Sequence, residues 1–293
     1  MIAFPDVSPE IFSFEIAGID FAIRWYAVSY LAGFFVAIAL MKSFLRKEKL
    51  WRFNTGPLDH DQVDSMMTYL ILGVIVGGRL GYVIFYNLDL YIEDPLSALR
   101  IWDGGMSFHG GFLGVVAAAF FYCRFNGVLV WSCADLIALS TGPGLLFGRA
   151  ANFINAELWG RPTDVPWGVV FPGTRAQECP NIIGECARHP SQLYEAGLEG
   201  LLLFLVLIIV ANFGGLRRPG LITGLFFLIY GASRYFVEFY RVPDTQFVSA
   251  SNLSGFVYQY GEIGVTMGQC LSLPMIFIGA VLFATKIKKP RIG

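Results

Sequence analysis

Seven stretches of this chain run long with little or no charge, and they limit its folding more than any other feature. A helix needs about 20 mostly apolar residues to cross about 30 Å of hydrocarbon. Trp25–Met41 and Ile263–Thr285 carry no charge at all, and Ser65–Leu88 carries only Arg79. Gly104–Cys123 holds no acid, lysine or arginine, only His109. Asp135–Gly148 is shorter and follows the uncharged Phe125–Ala134. Leu193–Phe213 carries Glu195 and Glu199, and Pro219–Val237 carries only Arg234. With 55% hydrophobic and 15% charged residues, against about 25% charged in soluble domains, the 293-residue chain is not a soluble two-domain enzyme. Disorder is excluded as well, because it needs low hydrophobicity and high net charge. The expected fold is an all-α polytopic membrane protein with seven transmembrane helices, residues 1–293 forming a single integral membrane domain. The formal net charge is −1, and no Lys/Arg block is large enough to grip a phosphate backbone, so no nucleic acid partner is expected.

Lysine and arginine asymmetry predicts the orientation. Residues 42–64, 124–134, 214–218 and the tail from 286 hold all six lysines and six arginines. The N-terminus and the loops near 89–103, 149–192 and 238–262 hold no lysine and seven arginines: Arg24, Arg100, Arg149, Arg161, Arg175, Arg188 and Arg241. The first set is expected to be cytoplasmic, which puts the N-terminus out and the C-terminus in. The outer arginines are then unusual, and some of them are expected to have a task there. The first residues hold acids and prolines instead of a basic start and an apolar run, so the first span is expected to stay in the protein.

Phe12 to Ile23 alternates apolar and polar residues around Ala17-Gly18, which predicts a short β-hairpin lying at the interface as an N-terminal arm, residues 1–24. Residues 149–192, rich in proline and glycine, are long enough for a small head. The chain has no internal repeat. Five cysteines without a CxxC suggest no metal site. Cys179 and Cys186 fall in the predicted outer loop, where a disulfide is plausible. Cys123, Cys133 and Cys270 fall in or near spans and read as inert apolar residues.

Ionisable groups in a membrane usually mark function or face a polar interior. Gly77-Gly-Arg-Leu-Gly-Tyr82 allows close helix packing, with Arg79 in need of a partner. Trp102-Asp-Gly-Gly-Met-Ser-Phe-His-Gly-Gly111 puts His109 between two glycine pairs at the outer start of a span. Glycines let backbone approach a ligand, and histidine takes a proton near neutral pH without prior tuning. Gly142 to Arg161 holds Pro143 between glycines, which predicts a break or kink. It then holds Arg149 and Asn152 on one helix face, followed by Asn155, Glu157 and Arg161. Arginine offers a planar fork suited to phosphate. Tyr230, Arg234, Glu238 and Arg241 form one helical stripe, in which Glu238 can pair with Arg234. Two readings follow: a membrane enzyme acting on an anionic lipid head group at the outer leaflet, or an anion or lipid transporter or channel whose arginines bind the anion in transit. Apart from Arg79, Glu199 and Arg234, the polar clusters gather near the outer ends of the spans and there are no repeats, which favours the enzyme.

Gly148-Arg-Ala-Ala-Asn-Phe-Ile-Asn-Ala-Glu-Leu-Trp-Gly160 resembles the signature of the bacterial phosphatidylglycerol–prolipoprotein diacylglyceryl transferases. Arg24-Trp-Tyr26, the motifs around Arg79 and His109, Arg188-His-Pro-Ser-Gln-Leu-Tyr-Glu195, and Tyr230 to Arg241 followed by Pro243-Asp244 fit the same family in order. The resemblance covers nearly the whole chain. Thr174–Ala187, with its two cysteines, departs from it.

The resemblance implies a multi-pass protein of the bacterial inner membrane with its active site toward the periplasm, so arm 1–24 and head 149–192 become periplasmic. It implies transfer of a diacylglyceryl group from phosphatidylglycerol to the lipobox cysteine thiol in a prolipoprotein signal peptide. A thioether forms and glycerol phosphate leaves, in the first step of lipoprotein maturation. It also implies catalytic roles for Arg149 and Arg234, which match the family's essential arginines. Phosphatidylglycerol would be bound by Arg149, Asn152, Gly160, Tyr26, Glu157, Arg234 and Tyr230. Asn155, Glu238, Arg241, His189 and Arg79 would take supporting roles. No metal or cofactor is required. The substrate thiol, with an ordinary pKa of about 8.5, needs a base, and His109 is the first candidate.

Overall fold

The computed structural model describes residues 1–16, 19–86, 88–179, 182, 184–243, 247–249, 252, 254–261 and 263–287. The Ala17-Gly18 turn, Pro180, Asp244 and the tail cations Lys288, Lys289 and Arg291 lie outside the described residues.

The apolar runs fold as helices. They are α1 (Trp25–Leu45), α2 (His60–Tyr86), α3 (Phe108–Phe125), α4 (Val130–Ile154), α5 (Ser191–Asn212), α6 (Leu221–Val237) and α7 (Met267–Ile287). Five of these, α1, α2, α4, α5 and α7, are long and apolar enough to cross a membrane, while α3 and α6 are shorter apolar helices. The protein is thus mostly helical, in keeping with a polytopic membrane protein.

Two expectations need correction. Helix α4 runs from Val130 to Ile154 with Pro143 inside it, so the proline does not break it. Inside a membrane, neighbouring helices and hydroxyl groups compensate for the hydrogen bond that a proline removes. The last apolar run also begins too early. Ile263–Thr266 is strand β6, paired antiparallel with β5 (Phe256–Tyr260), and helix α7 starts only at Met267.

Near the N-terminus, β2 (Glu10–Ile16) and β3 (Ile19–Arg24) pair antiparallel, and Arg24 binds Glu10 at 3.3 Å. Strand β1 (Ile2–Ala3) runs parallel to β4 (Val169–Val170). Phe4 packs with Phe153 and Phe171 at ring separations of 5.3 and 5.4 Å. Together with Val169, Ala176, Ala156 and Trp159 they make a small core of their own.

The chain divides into two compact units, Met1–Ala37 with Ala138–Gly293, and Ile38–Ile137. In the second unit, α2 and α3 touch through glycines. A Cβ at Gly77 would collide with the backbone of Gly110, and one at Gly73 would stand 2.6 Å from the carbonyl oxygen of Gly114. In the first unit, α4 and α5 pack as closely. A Cβ at Gly142 would lie 2.6 Å from that of Phe204, and one at Gly200 would lie 2.7 Å from the Cα of Leu146. These pairs set an antiparallel register. As α4 advances from Gly142 through Leu146, its partner residues retreat from Phe204 to Gly200, so the next turn of α4 faces Glu195 and Glu199.

Candidate active site

That register brings Arg149 to the start of α5. Its Nη1 lies 3.0 Å from Oε2 of Glu195, and its Nη2 lies 3.5 Å from Oε2 of Glu199. Arg234, in the last turn of α6, donates from Nη1 to Oε1 of Glu195 at 2.7 Å, and its Nη2 is 3.0 Å from Glu238. Arg241 donates to the same Glu195 oxygen at 2.6 Å and approaches Glu238 at 3.6 Å. Three guanidiniums therefore share one carboxylate. Arg234, a cation in the last turn of α6, also suits the negative end of that helix dipole. Tyr230 stands one turn before Arg234 and hydrogen-bonds with Arg149. Oε1 of Glu238 accepts from the hydroxyl of Thr266 at 3.1 Å.

Exposure differs sharply within the cluster. The Glu195 and Glu199 side chains are 0% exposed, whereas Arg149 and Arg234 each keep 20% open and Arg241 keeps 14%. The acids are sealed behind the arginines, and the arginines present donors outward. Each guanidinium has five N–H groups, more than its acid contacts use.

Glu195 and Glu199 are the residues that sequence reasoning did not assign to the site. The available signal was two acids four apart in an otherwise apolar run, which a membrane segment tolerates only with partners. Around Glu199 the helix widens into a π-wound stretch, Ala196–Leu202, a feature frequent at functional sites.

Beyond α4 the chain turns sharply, with Ala156 and Leu158 at positive φ. Nδ2 of Asn152 donates to Glu157 at 2.7 Å, and Nε2 of Gln192 donates to the Glu157 carbonyl at 2.6 Å. Gly160 bonds His189 through its amide at 2.8 Å, and a Cβ there would strike the Tyr240 carbonyl. Only glycine fits between these backbones. Tyr26, Asn155 and Glu157 line a shallow, open surface hollow of about 460 Å³ with Ala22, Arg24 and Ala27, and Tyr30 donates to the Tyr26 hydroxyl at 3.3 Å. His189 bonds the Tyr194 hydroxyl at 3.0 Å and packs edge-on against Tyr240. Burial lowers its pKa, which favours the neutral imidazole.

Most of the expected residues of the first unit are thus neighbours. Arg149, Arg234, Tyr230, Glu238 and Arg241 share one cluster; Tyr26, Asn155 and Glu157 line the hollow; Asn152 ties to Glu157. His109 belongs to the second unit, where it is exposed in the first turn of α3 beside the capping Ser107, whose hydroxyl accepts from the Gly110 amide at 3.2 Å. Arg79 also lies there. It donates to the carbonyls of Ala98 and Ser97 at 2.8 Å and of Gly105 and Arg100 at 3.1 Å. Arg79 thereby organises the loop that leads to His109, and its contacts are structural. The structure joins Cys179 and Cys186 in a disulfide with a Cα separation of 6.3 Å.

The family model for prolipoprotein diacylglyceryl transferase matches residues 12–285. The chain belongs to the prolipoprotein diacylglyceryl transferase family. Several phosphatidylglycerol–prolipoprotein diacylglyceryl transferases are similar to it along nearly their full length. One from Cereibacter sphaeroides is 55% identical over 96% of both chains. One from Ruegeria pomeroyi is 55% identical over 95% of both. A third, from Bradyrhizobium diazoefficiens, is 45% identical over 99% of this chain and 95% of its own. The family is one of transferases, which decides between the two readings of the arginines in favour of the enzyme.

Proposed function

We propose that this chain transfers the diacylglyceryl group of phosphatidylglycerol to the lipobox cysteine thiol of a prolipoprotein, forming a thioether and releasing glycerol phosphate. Beside the family membership, the observation that carries this reading is the three-arginine cluster with its guanidiniums partly open and its carboxylates sealed. A phosphodiester meeting Arg149 and Arg234 takes the donors that Glu195 leaves unused. The thiol proton passes to His109, and the thiolate sulfur attacks the glyceryl carbon bonded to the phosphate oxygen. The C–O bond breaks, and its electron pair stays on that oxygen as glycerol phosphate departs. Charge grows on the phosphate during this step, so fixed guanidiniums favour the transition state over the bound lipid. Asn152, Glu157, Gly160, Tyr26 and Tyr230 shape the lipid site. Asn155, Glu238, Arg241 and His189 support it.

In the same reading, seven helices span the bacterial inner membrane with the N-terminus out. Residues 1–24 and 149–192 form the periplasmic arm and head, and the arm rests on the bilayer interface. Purified enzyme, phosphatidylglycerol vesicles and a lipobox peptide provide the test. Glycerol phosphate and diacylglyceryl-peptide are expected in equal amounts. An unmodified peptide with no glycerol phosphate released overturns the reading.

A further inference from the structure

The cluster contains a carboxyl group that the reaction above does not use. Glu199 is completely covered, and among the described residues none donates a hydrogen bond to either of its oxygens. Its nearest cationic contact is Nη2 of Arg149 at 3.5 Å. Its neighbours are better served. Glu195 meets Arg149 at 3.0 Å, Arg234 at 2.7 Å and Arg241 at 2.6 Å. Glu238 meets Arg234 at 3.0 Å and the hydroxyl of Thr266 at 3.1 Å. The groups facing Glu199 are Arg149 from α4, Glu195 from its own helix, Tyr230 and Arg234 from α6, and Arg241 just beyond α6. An ionised carboxylate without hydrogen bonds in a dry site is strongly disfavoured, and a second carboxylate one turn away adds repulsion. The arginines already have closer acids, so they compensate little for it.

We propose that Glu199 is held as the neutral acid and thereby sets the charge of the phosphate site. With Glu199 neutral, the three guanidiniums in direct contact with these acids outnumber the ionised carboxylates by one, with Arg161 farther out beside Glu238. A phosphodiester head group brings one negative charge, so the two match. With Glu199 ionised, the empty cluster would sum to zero, and binding the lipid would leave an uncompensated negative charge in a covered place. Glu199 is therefore a positioning and specificity residue that acts through Arg149 and favours a monoanionic phosphodiester. The proposal rests on the transferase reading only for the identity of the anion.

Two measurements test it. Infrared difference spectra of wild type and Glu199→Gln, in detergent at pH 7, should show a protonated-carboxyl C=O band in the wild type that the variant lacks. This readout needs no activity, so it separates failure of this proposal from failure of the transferase reading. In the second measurement, KM for phosphatidylglycerol is followed from pH 6 to pH 9. The wild-type KM should rise several-fold on the alkaline side as Glu199 ionises, and Glu199→Gln should abolish that rise whatever the shape of its kcat profile. Absence of the band in the wild type overturns the proposal, even if the variant fails to fold. A KM rise that survives in Glu199→Gln overturns it equally.

Discussion

A guanidinium and an ammonium carry the same charge, but only the guanidinium reaches two acceptors from one rigid plane. Arg149 lays that plane against Glu195, and Arg234 sets it between Glu195 and Glu238. Arg149→Lys and Arg234→Lys keep the charge and lose the fork. Each should lower transfer about 10²-fold or more, the scale of losing one fixed donor at a developing anion, while the protein still reaches the membrane fraction. Wild-type-like rates would mean that a point charge suffices. Loss of the protein from the membrane would make the arginine a helix tie. His109→Gln keeps a polar side chain and loses the basic nitrogen. If His109 takes the thiol proton, turnover should fall about 10²- to 10⁴-fold. Raising the pH toward the thiol's own pKa of about 8.5 should restore part of it. Near-normal turnover at pH 7 would reduce His109 to lipid orientation. Arg149, Arg234 and Glu238 were legible in the sequence because an arginine in an apolar run demands an explanation, and an i,i+4 acid supplies one. Glu195 was not, because its partners Arg234 and Arg241 lie 39 and 46 residues away. Helical periodicity carries no information about contacts at that range.

At the scale of elements, runs of apolar residues revealed the helices but not where they stop. Ile263–Thr266 is as apolar as the helix that follows it, so hydropathy merged strand and helix; only its pairing with Phe256–Tyr260 separates them. Pro143 shows the opposite error. Local propensity predicts a break or a kink, and the helix is not broken: Gly142 and Gly144 let α5 and α1 press against the same stretch, with a Cβ at Gly33 only 3.1 Å from the Cα of Gly144. Packing outweighs the lost hydrogen bond. The π-wound turn after Glu195 left no sequence signature that periodicity could detect. In the head, the disulfide and the Gln177 side chain both hold the segment at Cys186: the Gln177 amide donates to the Phe171 carbonyl at 2.8 Å and its oxygen accepts from the Cys186 amide at 2.9 Å. Closing a loop of about eight residues is worth about 2–3 kcal/mol in the chain-entropy account. The Cys179→Ser, Cys186→Ser double variant should therefore loosen the head locally. Amide exchange near residues 171–188 should quicken about 10- to 100-fold, while the Gln177 clamp and the spans keep insertion and transfer intact. Non-reducing mass mapping of the wild type should recover the two cysteines in one linked peptide. Two free thiols in periplasmically exported protein would remove the basis of this prediction.

For the molecule as a whole, the orientation we propose depends on which cations are counted. The outer set holds seven arginines, which by number alone would weaken an N-out assignment. Most of them have fixed partners. Arg149 and Arg241 bind buried acids, Arg24 binds Glu10, and Arg100 binds Asp94 at 3.0 Å. Arg188 donates to the carbonyls of Ala176, Gly160 and Glu178, and Arg161 donates to that of Arg241. The lysines, six on one side and none on the other, then carry the signal. Single cysteines at two exposed positions, Ser8→Cys in the arm and Glu48→Cys after α1, should respond oppositely to a maleimide that cannot cross the inner membrane. Ser8→Cys should label in intact spheroplasts, and Glu48→Cys only after lysis. The reverse pattern would put the Arg149–Glu195–Arg234 cluster at the cytoplasmic face, where an exported prolipoprotein thiol could not meet it, and the proposed transfer would lose its geometry together with its orientation.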